Sequence, residues 1–371
     1  MVSRGLRHGA PPVRRRREHP LGRQPEGDSP RFAARIDQLA TTNPSTSYTQ
    51  DQMLDLLGLR GNEFAESIFS VCGVERRQFA ITPEMLRTTL QSRVERSEEH
   101  LLAMALEAIG QLDCDPGAVS TVITANYYSL GGPTLAHRLV DELGLDPATD
   151  KYHVLGVGCA SAVPLFKLAS QALLENPESR ALVVGAESIT GFLTTVAPDD
   201  EKTKIVGSAL FGDGCAAAVL TRDASASGPA LLAAKVHQIE DTLGSVRFRV
   251  SEDDSFMHMG RDLPAIAREG SGKLVDDFLA QRGLTRDRIE HWMIHPGGRG
   301  IIEGVEEGLG LGREQVQVSY DTLAGHGNMG TPSSFYVLKG VSERNDPKPG
   351  ELGLMLTIGP GVTVGLMLLR W

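Results

Sequence analysis

The most constraining stretch of this chain is Leu352–Leu369, eighteen consecutive residues without a charge. About 20 apolar residues suffice to cross a bilayer as a helix, so a membrane span has to be weighed first. Gly359-Pro360-Gly361 lies at the centre of the stretch, where proline removes a backbone donor and the glycines favour a turn. β-Branched residues flank it on both sides. Two buried strands joined by a tight turn account for the segment better than a span does, and strands this apolar need cover on both faces.

The same kind of ending occurs earlier. Ala181–Gly185 and Cys215–Leu220 are short apolar runs of strand type, and each strand pair closes a series in which strand and helix patterns alternate. Val94–Ile109 carries apolar residues at three- and four-residue intervals, as a helix packed on a sheet does. Val119–Thr124 reads as a buried strand and Leu135–Leu143 as a helix. After a break at Ser225–Gly228 the order recurs: helix at Lys273–Gln281, strand at His291–His295, helices at Gly300–Gly308 and Pro332–Val341, then the hairpin. The repeat is one of pattern, not of residue identity. It predicts an α/β chain of two similar halves, residues 46–226 and 227–371. Thr49, followed by the acidic and amide residues Gln50-Asp51-Gln52 and then apolar spacing to Leu57, predicts a capped helix at the start of the first half.

Residues 1–45 read as an unstructured extension. Residues 1–36 hold nine arginines against three acids, whereas the rest of the chain carries 28 basic and 44 acidic residues. Prolines and glycines surround Arg14–Arg17 and no apolar run follows, so this is a solvated tail and not a secretory signal. The acidic body argues against a nucleic-acid-binding domain. Cys72, Cys114, Cys159 and Cys215 are scattered, with no Cys-x-x-Cys pair and no histidine cluster at metal spacing. That argues against a metal site and a disulfide framework, and fits a reducing cytoplasm.

Three glycine-rich stretches hold the reactive side chains. In His153–Lys167 an apolar run, Val154–Val157, ends in glycines, Cys159 follows, and helical spacing begins. A thiol at such a junction faces unpaired N–H groups and the positive end of a helix dipole, which favours thiolate and can bring its pKa from about 8.5 to about 3.5–7.5. Pro164 fits that helix only in its first turn. His295-Pro296-Gly297-Gly298 ends a strand, and Gly325-His326-Gly327-Asn328-Met329-Gly330 is a loop before a helix. A histidine can take a thiol proton and later donate to an oxyanion, and an asparagine amide can donate to the same oxyanion without changing charge. Taken singly, each also fits a structural role: core thiol, packed strand end, turn residue. Neither Gly156-Val157-Gly158 nor Leu210-Phe211-Gly212-Asp213-Gly214 completes a nucleotide-binding motif.

Together these stretches resemble the type III polyketide synthases, the chalcone synthase group of the thiolase superfamily, from about Tyr48 to Trp371. The matching residues are Gly158-Cys159, Gly207-Ser208-Ala209-Leu210-Phe211-Gly212-Asp213-Gly214, His295-Pro296-Gly297-Gly298, Gly327-Asn328-Met329 and Gly359-Pro360-Gly361. Priming ketosynthases of fatty-acid synthesis share the cysteine, histidine and asparagine but usually lack His-Pro-Gly-Gly. The resemblance implies a duplicated thiolase fold, an αβαβα layered sandwich, assembled as a homodimer with the Tyr128–Pro133 loop near the partner's cavity. It implies Cys159 as the acyl-accepting nucleophile, His295 as base and oxyanion donor, and Asn328 as second donor. It further implies iterative decarboxylative condensation of malonyl-CoA onto an acyl-CoA starter carried on Cys159. The CoA thioesters are then substrates, and no cofactor, metal, nucleic acid or membrane is involved.

The resemblance also marks where this chain departs from its family. Phe211 takes the place of a phenylalanine that parts the CoA tunnel from the cavity, and Met257 that of a second aromatic gate residue. Gly330 replaces a frequent serine, Leu193 a polar cavity position, and Tyr127 and Tyr128 stand where smaller residues line many pockets. The lysines that meet CoA phosphates are missing around Phe64–Ser67, so Arg76, Arg77 or Arg299 is expected to substitute, Arg299 because it follows Gly297 and Gly298. Within the family, Ser47-Tyr48-Thr49-Gln50, His291-Trp292 and the terminal Leu-Arg-Trp resemble the bacterial 3,5-dihydroxyphenylacetyl-CoA synthases, which build an aromatic ring from malonyl units. Alkylpyrone or alkylresorcinol formation from a fatty acyl starter is the alternative within the family, and a single condensation on an acyl carrier protein the alternative outside it. A subunit that has lost catalysis is disfavoured because all three reactive residues are present.

Overall fold

Strands and helices alternate in two series. In the computed structural model, which describes residues 34–80, 82, 84–126, 131–189, 202–250 and 255–371, the first series begins with β1 (Arg35–Thr42), β2 (Ser47–Thr49), α1 (Gln50–Leu56), α2 (Glu63–Val71), β3 (Arg76–Gln78) and α3 (Leu90–Ile109). It continues through β4 (Val119–Ala125), α4 (Leu135–Glu142), β5 (Asp150–Val154), α5 (Ala162–Glu175), β6 (Arg180–Glu187), α6 (Lys202–Leu210) and β7 (Gly214–Thr221). The second series is β8 (Ala230–Gln238), β9 (Val246–Val250), β10 (Ser255–Met259), α7 (Leu263–Ala280), β11 (His291–Ile294), α8 (Arg299–Leu309), α9 (Gln317–His326), α10 (Thr331–Arg344), β12 (Leu352–Gly359) and β13 (Thr363–Arg370).

Nine strands form one ladder system in the order β11-β12-β13-β8-β1-β7-β6-β4-β5. On one side β4 is parallel to β6, β6 antiparallel to β7, and β7 antiparallel to β1. On the other β11 is parallel to β12, β12 antiparallel to β13, and β13 antiparallel to β8. The two sets repeat one arrangement and meet at a single register pair, Arg35 with Ala230. α5 precedes β6 as α10 precedes β12.

Strand alternation sorts the core into layers. In β7, Cys215, Ala217 and Val219 face α3 and α4, while Ala216, Ala218 and Leu220 face α5 and α10. In β13, Val364, Leu366 and Leu368 face α7 and α8, while Met367 and Leu369 turn to the α5 and α10 side. The result is helix, sheet, helix, sheet, helix, with α5 and α10 in the central layer. Phe166 of α5 stacks on Phe335 of α10 with ring centroids 4.8 Å apart.

The charge-free stretch is the hairpin of β12 and β13, with Gly359 opposite Thr363 at its turn. Among the described residues no helix is long and apolar enough to cross a membrane. Thr49 caps α1 with a reciprocal box to Gln52. One expectation fails: residues 35–42, assigned above to the unstructured extension, are β1. Its segment, Arg-Ile-Asp-Gln-Leu-Ala-Thr-Thr, has little apolar alternation of its own, and pairing along β7, with a register shift between Ile36 and Gln38, makes it a strand.

Candidate active site

Cys159 sits in a single 3₁₀ turn, Gly158–Ala160, between β5 and α5. Gly156 and Gly158 adopt φ of +81° and +54° on either side of Val157, a region that favours glycine. Pro164 lies in the first turn of α5, where its missing N–H has no helical partner. The Gly-Pro-Gly turn presses on this corner. A Cβ on Gly359 would stand 2.6 Å from the Ala160 nitrogen and 2.7 Å from the Val157 oxygen, so only glycine allows the approach.

The second corner follows α9. The backbone N–H of Asn328 donates to the Leu210 carbonyl at 2.8 Å, and the Gly212 N–H donates to the Asn328 carbonyl at 3.1 Å. The Met329 N–H donates to Ser333 Oγ at 2.8 Å. The Gly330 N–H donates to Asn328 Oδ1 at 2.8 Å. That bond assigns the amide's orientation, with Nδ2 3.3 Å from the Gly297 oxygen and 3.7 Å from Cys159 Sγ. Thr331 Oγ1 ties the two corners together, 3.2 Å from the Gly158 oxygen and 3.3 Å from Glu187 Oε1.

His295 follows β11, with its backbone N–H donating to Leu356 at 2.9 Å. The ring is 1 % exposed. Its Nδ1 lies 3.3 Å from Ser334 Oγ, and its Nε2 is buried without a partner among the described residues, available to a substrate. Cys159, His295, Asn328 and Glu187 line one cavity of about 570 Å³ whose walls are Ile189, Phe211, Val246, Met259, Leu263, Ile301 and Ile358. These apolar walls govern the titrations. Burial pushes the Cys159 thiol up to about 12, more than the hydrogen bond from Asn328 lowers it, and Glu187 adds to the rise. Burial also takes His295 down to about 3. Burial thus works against the thiolate expected from the helix dipole, because a dry cavity penalises the charged form of each group.

The expected pocket residues distribute unevenly. Phe211, Gly297 and Gly330 line the cavity. Gly298 and Arg299 line a groove of about 1180 Å³ that shares Met259, Leu263, Gly297 and Ile301 with it. Arg299 is exposed there and paired with Glu303 at 2.8 Å. Arg76 is exposed on β3 and lines neither space. Arg77, expected beside CoA phosphates, is 0 % exposed, because the alternation of β3 turns it inward, and its guanidinium is spent on the Ser208 and Phe211 carbonyls. It cannot reach a phosphate. Met257 lies on β10 opposite Phe248 in the backbone ladder. Tyr127, Tyr128 and Leu193 fall outside the described residues. Sequence reasoning missed Glu187, Met259 and Ile301 in the cavity and Arg261 in the groove. Glu187 carried a signal, a carboxylate ending the apolar run of β6.

Residues 75–224 match the N-terminal domain of chalcone and stilbene synthases, and residues 230–371 the C-terminal domain. The 3,5-dihydroxyphenylacetyl-CoA synthase of Amycolatopsis orientalis is 26% identical over 352 residues, 91% of this chain and 93% of that protein. The 1,3,6,8-tetrahydroxynaphthalene synthase of Streptomyces peucetius is 31% identical over 278 residues, 74% of this chain and 72% of that protein. Among solved structures, PKS-I from the brown alga Ectocarpus siliculosus superposes with a TM-score of 0.84 at 27% identity, covering 93% of this chain and all (100%) of that one. The five-layered, duplicated architecture is thus the thiolase fold, and the chain belongs to the chalcone and stilbene synthase family, the type III polyketide synthases.

Proposed function

We propose that Cys159 carries the growing acyl chain and that His295 and Asn328 stabilise the enolate formed when malonyl-CoA loses CO2. The observation that carries this reading is the convergence of three side chains from three loops on one apolar cavity. In loading, the Cys159 proton passes to the open Nε2 of His295 as sulfur attacks the starter thioester, and the CoA thiolate leaves with that proton. In extension, the bond to the malonyl carboxylate breaks, CO2 departs, and the electron pair moves to the thioester oxygen. For this step His295 takes the tautomer with its proton on Nε2, Nδ1 then accepting from the Ser334 hydroxyl, and Nε2–H with Asn328 Nδ2–H are the donors for that oxygen, each worth about 10²–10³ in rate. The enolate carbon then attacks the acyl carbonyl on Cys159, a carbon–carbon bond forms, and the thiolate is released. Phe211 and its apolar neighbours keep water off the thioester and favour loss of a charged carboxylate as neutral CO2. Every step uses CoA thioesters and the chain's own side chains, with no resident cofactor, and cytoplasmic CoA pools would supply them.

The groove beside Gly297 is the route for CoA, with Arg299 and the exposed Arg261 at its rim. Among the described residues that line the cavity none is a lysine or arginine, so the starter they suit is an uncharged aliphatic acyl group, which leads to an alkylpyrone or alkylresorcinol. A second reading, malonyl units alone closing to 3,5-dihydroxyphenylacetyl-CoA, is favoured by similarity to the Amycolatopsis enzyme along 91% of this chain. β5 is an edge strand with Tyr152 45% and Leu155, just past its end, 47% exposed. It supports pairing of two copies through this edge. Incubation with radiolabelled malonyl-CoA alone, then with a panel of acyl-CoAs, tests the whole. Products of carbon–carbon bond formation are expected, and their mass identifies the starter; none from any thioester would sink the reading.

A further inference from the structure

α6 ends against the Asn328 loop, and its last carbonyls have no partners within the helix. Other segments satisfy them. The Ser208 carbonyl accepts from Arg77 Nη1 at 2.7 Å, Ala209 from Gln50 Nε2 at 2.9 Å, Leu210 from the Asn328 N–H at 2.8 Å, and Phe211 from Arg77 Nη1 at 2.8 Å. Gln50 is itself held, its Oε1 accepting from Arg77 Nη2 at 2.8 Å. One buried guanidinium thus closes the end of the helix that carries Phe211 and receives the backbone of Asn328.

A fully buried cation ordinarily has a carboxylate partner, and among the described residues Arg77 has none. Its charge meets the negative end of the α6 dipole instead. The faces of Phe69 and Phe79 lie 5.7 and 5.3 Å from it and favour a cation there. The stem of Arg77 also underlies the loop, since a Cβ on Gly327 would stand 2.9 Å from its Cγ and Cδ. Burial that lowers its pKa is a cost these contacts offset. Arg77 does not line the catalytic cavity.

The geometry points to Arg77 as a positioning residue for decarboxylation: it locks the end of α6, Phe211 and the Asn328 backbone into one unit and so holds the asparagine amide at the reacting oxygen. This rests on the role proposed above for Asn328. Cys159 sits on the other corner and meets the Asn328 amide only at a loose 3.7 Å, so acyl loading depends on Arg77 far less than decarboxylation does.

The test compares two rates in one folded protein, CO2 release from malonyl-CoA and acylation of Cys159 by a starter thioester. A displacement of about 1 Å costs about 10²-fold, so Arg77→Met should lower kcat for decarboxylation about 10²-fold with KM within about twofold and acylation near the parent rate. Arg77→Lys, which keeps the charge but not the fork, should recover part of that loss. Parent-like decarboxylation in Arg77→Met, or equal losses in both rates, overturns the inference. If Arg77→Met does not fold, Gln50→Met carries the test: a smaller loss confined to decarboxylation is expected, and parent kcat overturns the inference. A parent protein that releases no CO2 fails the functional reading itself, a result distinct from any variant's behaviour.

Discussion

The Cys159 turn and the Asn328 loop occupy matching places in the two halves, each leading into a helix of the central layer, yet they are built to opposite ends. Backbone bonds to Leu210 and from Gly212, with two backbone-to-side-chain bonds, hold Asn328 and its neighbours. Among the described residues the one side chain bonded to Cys159 Sγ is the Asn328 amide, at 3.7 Å. A nucleophile has to take up and release acyl groups, so its sulfur is left loosely held. An oxyanion donor acts through preorganisation, so its amide is tethered from both sides. Duplication supplied two equivalent corners, and their divergence is where the chemistry was divided.

Swapping the loss between the corners is the strongest way to break this comparison. Cys159→Ala should abolish every carbon–carbon bond-forming product while malonyl-CoA still loses CO2. Asn328→Ala should do the reverse, with decarboxylation down about 10²–10³-fold and Cys159 still acylated. Product analysis by mass and CO2 release read the two out separately. A Cys159→Ala protein that still extends chains would remove sulfur from the assignment.

Much of this was legible in the chain because each reactive residue lies in its own glycine-marked corner. Cys159, His295, Asn328 and the Gly359 turn are local signals. Phe211 was legible through its surrounding motif, and the backbone shows why that motif exists, since Phe211 pairs with Asn328 as an isolated bridge. What stayed hidden depends on packing between distant segments. Glu187 ends a strand and becomes a cavity wall only when α10 closes over it. Arg76 and Arg77 read as one basic pair, and strand alternation sends one to solvent and the other to the core. β1 exists because β7 offers it a partner. The direction in which burial moves the thiol was hidden for a related reason: the dipole is visible in sequence, whereas the dryness of the cavity comes from Ile189, Met259 and Ile301, brought from three separate segments.

The titration sharpens the contrast between a sulfur at rest and a donor always ready. With the Cys159 thiol pushed up to about 12, the thiolate fraction at pH 7 lies below that of an ordinary cysteine, and alkylation requires thiolate. The rate of iodoacetamide labelling of Cys159, followed by peptide mass, should therefore be slow at pH 7 and climb through pH 10. A plateau already reached by pH 7 would mean that His295 holds the proton before substrate arrives, and the two groups would then titrate as one unit.

The smallest expected effect separates the corners by their glycines. Gly156 and Gly330 both hold positive φ, +81° and +65°, so alanine at either strains the backbone by about 1–3 kcal/mol. Their surroundings differ. A Cβ on Gly156 meets nothing within 4 Å, whereas one on Gly330 would stand 3.1 Å from Glu187 Cγ and 3.2 Å from its Oε1. Gly156→Ala and Gly330→Ala should accordingly lose similar stability by urea midpoint, with Gly330→Ala somewhat the worse. Only Gly330→Ala should alter the ratio of products, because it displaces the one carboxylate among the described residues lining the cavity. An unchanged product ratio in Gly330→Ala, with the stability loss present, would detach Glu187 from chain growth and leave it a brace between the two corners through Thr331.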